Sequence, residues 1–224
     1  MLKAIIFDMD GVLVDSEPVH MEAFKRLAEG LGIAFERDYY LQFVGSTTDH
    51  MWNKVIADYD LKLSKDELME LSNQYVREIN GEAGYPVMAG AAELIRKLAD
   101  SNLKLAVASS SGMERIESTL DKLGVKTLFD GVVSGMQVAN PKPAPDTFLA
   151  AATMLGVNPD ECILIEDSLN GMKAAKHAGM ICVMYENLSL GSVNSSYADY
   201  IIQGFEELDA SFFEMIYAHM SGEP

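Results

Sequence analysis

The chain has 224 residues, 49% of them hydrophobic, and 17 basic against 34 acidic side chains set a formal charge of −17 at pH 7. That size and apolar content suit one or two globular domains with a real core, and the charge repels nucleic acid and anionic lipid, so neither is an expected partner. Cys162 and Cys182 each sit in a short apolar run and form neither a disulfide framework nor a zinc site; with no signal-peptide pattern and no uncharged run of membrane-spanning length, a cytoplasmic location is expected.

Lys3 to Phe7 (KAIIF) is a β-branched and aromatic run that stops at an acidic cluster, which predicts a buried strand. From Glu17 the period becomes helical: Val19, Ala23, Phe24, Leu27 and Leu31 share one face. Helical patterns continue to about Asn80, broken near Gly45 and Ser64, and Ser64 with Glu67 has the capping-box form. After Pro86 helices and strands alternate. Ala89–Asp100 reads as a helix, Leu103–Ala108 as a strand and Met113–Leu123 as a helix, followed by a strand over Gly131–Ser134. A helix over Pro145–Leu155 comes next, then a strand Cys162–Ile165, a helix Leu169–Ala178 and a strand Ile181–Met184. Tyr200–Ile202 and a last helix near Glu206–His219 close the chain. Such alternation predicts an α/β fold, a Rossmann-like parallel sheet covered on both faces. The helix-only stretch reads as an insert: residues 16–84 form an all-helical second domain and residues 1–15 with 85–224 the core.

Open parallel sheets bind ligands outside the carboxyl ends of their strands, so the polar residues at those ends carry the functional question. The first strand ends in Asp8-Met9-Asp10-Gly11. Two carboxylates so close repel each other unless a cation lies between them or one is protonated, although a bare Asp-x-Asp is more often a solvated acidic turn or a helix N-cap. A later strand ends in Ser109-Ser110-Ser111, which alone reads as a cap for the following helix. Pro141-Lys142-Pro143 holds one lysine on a stiff loop, otherwise a rigid surface turn. Cys162–Ile165 ends in Glu166-Asp167-Ser168, a second acidic pair that also suits a helix start. Together they bring two carboxylate pairs, a hydroxyl and a lysine to one sheet edge. Oxygen ligands of this kind suit Mg²⁺, and carboxylates, Mg²⁺ and a lone lysine make a kit for phosphoryl transfer.

The run Asp8-Met9-Asp10-Gly11-Val12-Leu13-Val14-Asp15-Ser16 resembles the first motif of the haloacid dehalogenase superfamily, and Ser109, Lys142 and Glu166-Asp167 resemble its second, third and fourth motifs in the same order. Lys142–Phe148 and Glu166–Gly171 are similar to the branch with a small helical cap that contains β-phosphoglucomutase and many small-metabolite phosphatases. The resemblance implies that Asp8 attacks phosphorus and forms an aspartyl-phosphate, and that Asp10 acts as general acid and then as base. It further implies that Asp8, the Asp10 backbone carbonyl, Asp167 and Glu166 hold Mg²⁺, and that Ser109 and Lys142 bind the transferred phosphoryl oxygens. Ser110, with His20, Gly45 and Thr48 of the insert, falls where relatives contact substrate; for His20 a partly buried helix position is the alternative. Dehalogenases of the superfamily lack the second aspartate that this chain has as Asp10. Mutases of the branch carry an Arg where this chain has Thr48 and a Lys at the place aligned with Leu71, cations that hold a second phosphate. The implied activity is therefore a Mg²⁺-dependent phosphatase of sugar or polyol phosphates, with a β-phosphoglucomutase-like phosphomutase as the alternative. The expected partner is a small phosphorylated metabolite, and the expected state a monomer or weak dimer.

Overall fold

Four buried apolar residues, Ala4–Phe7, form strand β1. In a computed structural model of the chain, which describes residues 1–43, 48–81, 84–187 and 193–222, β1 lies inside a six-stranded sheet. The other strands are β2 (Lys104–Ser109), β3 (Gly131–Ser134), β4 (Cys162–Glu166), β5 (Ile181–Tyr185) and β6 (Tyr200–Ile202). Neighbours pair in parallel in the order β3-β2-β1-β4-β5-β6. Every residue of β1 and β4 is buried, as central strands of a parallel sheet covered on both faces must be.

The helices are α1 (Glu17–Gly30), α2 (Arg37–Leu41), α3 (Thr48–Tyr59), α4 (Lys65–Asn80), α5 (Ala91–Ala99), α6 (Met113–Leu123), α7 (Asp146–Leu155), α8 (Leu169–Ala178) and α9 (Ala210–Ser221). The chain divides into two compact units, Met1–Asp15 with Pro86–Pro224, and Ser16–Tyr85.

In the sheet-containing unit, α7 and α8 pack on the face that carries Ala4, Ile6, Ala106, Ala108, Leu164 and Cys182. Small residues on both sides, Ala151 and Ala152 of α7 and Ala174 and Ala175 of α8, allow close helix-to-sheet contact, and Phe148 fills the space between. Cys162 and Cys182 are buried and unbridged, and burial pushes the Cys162 thiol up to about 12, so both act as small apolar groups. Ser16–Tyr85 has its own core of Phe24, Leu27, Tyr40, Phe43, Trp52 and Leu68, with Trp52 stacked on Phe24 at 5.8 Å. Helix α4 starts at the capping box foreseen in its sequence: the Glu67 amide donates to Ser64 Oγ at 3.3 Å and the Ser64 amide to Glu67 Oε2 at 2.8 Å. The buried Tyr40 hydroxyl donates to Glu17, in the first turn of α1.

Candidate active site

Strand order runs outward in both directions from the β1–β4 pair, so successive crossovers diverge there and leave a crevice at the carboxyl ends. Register decides which residues face it. Phe7 pairs with Ile165 of β4 and Val107 of β2, so Asp8, the next residue, stands beside Glu166. Its amide still donates to Ile165 O at 2.9 Å, which ties the residue to the end of the sheet. Ser109 pairs with Ser134 at the ends of β2 and β3.

After Asp8 the backbone turns through Gly11, whose φ is +78°. A Cβ there would lie 1.7 Å from Asp167 Oδ2. Only glycine both adopts that conformation without strain and leaves room for the carboxylate. Opposite, Lys142 comes from the loop before α7. Asn140 closes that loop by donating from its amide and side chain to Asp146 Oδ2 at 3.1 and 3.0 Å. Lys142 Nζ donates to Asp8 Oδ1 at 2.8 Å and Glu166 Oε1 at 2.9 Å, and lies 4.6 Å from the Phe148 ring centre. The three side chains are buried, at 7%, 8% and 0% exposure. Glu166 also accepts from the Ser168 amide and hydroxyl, so both its oxygens have partners and one of them holds Lys142. Gly171 makes that possible, because a Cβ there would lie 1.7 Å from Glu166 Oε1.

Asp8, Glu166 and Asp167 each place an oxygen within 4.8 Å of the others. Three carboxylates against one ammonium would leave a net charge of −2 in a buried space. Burial, with Glu166 and Asp10 adding to it and Lys142 opposing it, pushes Asp8 up to about 7. Asp167 is raised well above the carboxylate range by burial and by Glu166 and Asp8. Burial alone would lower the Lys142 ammonium, but its contacts with Asp8 and Glu166 outweigh that and hold it raised. A buried, oxygen-only, anionic cluster fits a hard divalent cation, whose charge would reverse these shifts.

Asp10 stands apart from this cluster. Its Oδ2 accepts from the Ser111 hydroxyl at 2.9 Å and its Oδ1 from the Arg115 guanidinium. Ser109 is fully buried and its Oγ accepts the Ser111 amide at 3.1 Å, whereas Ser110 is exposed. His20 and Thr48 belong to the helical unit. His20 is half-buried, with Nε2 3.4 Å from the Tyr85 hydroxyl, and Thr48 is exposed at the start of α3. Gly45 lies outside the described residues. The sequence reading missed Arg115 and gave Ser111 only a capping role. The available signal was their spacing, four residues across the start of a helix, which stacks two side chains on one face.

The chain matches the haloacid dehalogenase-like hydrolase family over residues 2–179. It is 34% identical over 188 residues to the β-phosphoglucomutase of Bacillus subtilis, covering 81% of this chain and 82% of the relative. It is 31% identical over 179 residues to the fructose-1-phosphate phosphatase YqaB of Escherichia coli, covering 80% and 94%. It is 35% identical over 189 residues to SUPPRESSOR OF QUENCHING 1 of Arabidopsis thaliana, a chloroplastic protein of which it spans 18%. The crystal structure of β-phosphoglucomutase from Clostridium difficile superposes with a TM-score of 0.82 at 25% identity, covering 100% of both chains.

Proposed function

Because the chain belongs to the haloacid dehalogenase-like hydrolase family, we propose that this hydrolase is a Mg²⁺-dependent phosphatase of small phosphorylated metabolites, sugar or polyol phosphates, working through an aspartyl-phosphate on Asp8. The observation that carries the proposal is the buried Lys142 bridging Asp8 and Glu166 at 2.8 and 2.9 Å. It puts the Asp8 carboxylate, the nucleophile in this reading, beside a cation that offsets its charge.

An Asp8 oxygen attacks phosphorus, the bond from phosphorus to the ester oxygen breaks, and Asp10 gives its proton to that oxygen, which leaves as an alcohol. Water then attacks the same phosphorus, Asp10 takes a proton from it, and the Asp8–phosphorus bond breaks. Inorganic phosphate departs with Asp8 ionised and Asp10 protonated, as at the start. Lys142 and the Ser109 hydroxyl hold the phosphoryl oxygens throughout. Asp8, Asp167 and the Asp10 backbone carbonyl would hold Mg²⁺, with Glu166 behind them. Bound there, the ion supplies the positive charge that lets a carboxylate approach a phosphate dianion. Among the described residues no helix is long and apolar enough to cross a membrane, and a cytoplasmic location goes with the unbridged thiols.

Phosphatase is favoured over mutase by Thr48. An exposed neutral side chain stands where the resembling mutases carry an arginine for the second phosphate. Losing one charge-assisted contact costs on the order of 1.5–3 kcal/mol of binding, so water competes better for the aspartyl-phosphate. Given β-glucose 1-phosphate with a trace of glucose 1,6-bisphosphate and Mg²⁺, the protein should release inorganic phosphate and make little glucose 6-phosphate. Efficient conversion to glucose 6-phosphate without phosphate release would establish the mutase instead.

A further inference from the structure

We propose that Arg115, acting with Ser111, is a positioning residue for Asp10: the pair fixes the direction of the carboxylate that, in the mechanism above, protonates the leaving oxygen and deprotonates water. The proposal rests on that assignment of Asp10, and on a closed ring of three side chains. Arg115 Nη1 donates to Ser111 Oγ at 2.9 Å, the Ser111 hydroxyl donates to Asp10 Oδ2 at 2.9 Å, and Arg115 Nη2 donates to Asp10 Oδ1. Because Ser111 Oγ already accepts from Arg115, its own proton is directed at Asp10.

The ring is anchored to the sheet. The Ser111 amide donates to Ser109 Oγ at 3.1 Å, and the Ser134 hydroxyl donates to Ser111 O at 2.7 Å. Ser109 and Ser134 are fully buried and pair across β2 and β3. A rigid path therefore runs from paired strands through Ser111 to the carboxylate. Asp10 needs such support. It lies beyond the end of β1, on the turn at Gly11, with its side chain 29% exposed, so the sheet alone does not choose its rotamer.

The ring also leaves Asp10 able to react. The ring takes one lone pair on each carboxyl oxygen, out of about four in all, so a place remains for the proton Asp10 carries in the first step and for the water it deprotonates in the second. At the same time Asp10 is held out of the Asp8–Glu166–Asp167 group, where a fourth carboxylate would add to the charge that Lys142 has to offset. Arginine suits the task because its fork reaches two acceptors at once; a lysine at that position keeps the charge and loses the bridge.

The test measures leaving-group dependence in single turnovers with Mg²⁺, comparing p-nitrophenyl phosphate, whose leaving group needs no proton, with phenyl phosphate, whose leaving group does. General acid catalysis contributes roughly 10²–10⁴-fold, and misdirecting the acid should forfeit a part of that. In Arg115→Ala the ratio of the p-nitrophenyl to the phenyl rate should rise about tenfold over wild type, with Arg115→Lys and Ser111→Ala in between. A purely structural role would lower both rates together, so equal losses, or no loss, would overturn the proposal. Arg115→Lys and Ser111→Ala keep the test decisive if Arg115→Ala fails to fold. Asp10→Asn separates the two levels. If it shows the raised ratio and the Arg115 and Ser111 variants do not, the positioning role alone falls; if it leaves the ratio at the wild-type value, the acid role of Asp10 falls and the positioning role with it.

Discussion

Replacing Asp8 by Asn should stabilise the metal-free protein, and only at pH values where Asp8 would be charged. In the unfolded chain this carboxyl titrates at its ordinary 3.8, and in the folded protein burial raises it to about 7. The folded state then holds the proton more tightly than the unfolded state. The contribution of Asp8 to stability is therefore greatest below about pH 4, falls as pH rises toward 7, and levels off above. The interval from 3.8 to about 7 corresponds to about 4 kcal/mol, or roughly 10 °C in Tm for a domain of this size. Asparagine has nearly the same shape and keeps an oxygen for the Lys142 ammonium, so the variant removes the charge and little else. Thermal unfolding in EDTA should give similar Tm values for Asp8→Asn and wild type near pH 4, and a variant more stable by several degrees at pH 8. Over this range the Asp8 charge weakens wild type alone, whereas Asp167, raised in the same direction, weakens both proteins. The variant should also have no turnover. A variant less stable than wild type at pH 8, or offset by the same amount at both pH values, would refute the electrostatic reasoning.

Mg²⁺ should raise the wild-type Tm more at pH 8 than at pH 5, and at a hundred times its Kd the gain is about 2.7 kcal/mol; Asp167→Asn should lose most of that rise in differential scanning fluorimetry. Lys142→Met should abolish turnover and destabilise the metal-free protein by roughly 3–5 kcal/mol at pH 8, because it leaves Asp8 and Glu166 buried without their cation; chemical denaturation would show it. Gly171→Ala should cut kcat severely, since the new methyl carbon would sit 1.7 Å from Glu166 Oε1 and push away the tether that holds Lys142; wild-type turnover in this variant would mean that Lys142 keeps its place without Glu166.

Much of the α/β class was legible in the sequence because it follows from local pattern. A short β-branched and aromatic run such as KAIIF, stopped by Asp8, reads as a buried strand with a polar carboxyl end, and the Ser64–Glu67 box forms within one helical turn. The same locality placed Asp8, Ser109 and Glu166 at strand ends and Lys142 on a stiff loop. Only the tertiary structure decided which strand ends meet. The order β3-β2-β1-β4-β5-β6 sets β1 beside β4 and so Asp8 beside Glu166, and Lys142, on the loop before α7, reaches both, Asp8 across 134 residues. The ring on Asp10 was less legible still, because Arg115 reaches a partner 105 residues away. Its sequence shows an ordinary basic residue in the first turn of a helix, one of many that face water. The spacing of Ser111 and Arg115 sets those two side chains together, but what brings Asp10 to them is the pairing register of β1, β2 and β3, a property of backbone hydrogen bonds between distant segments.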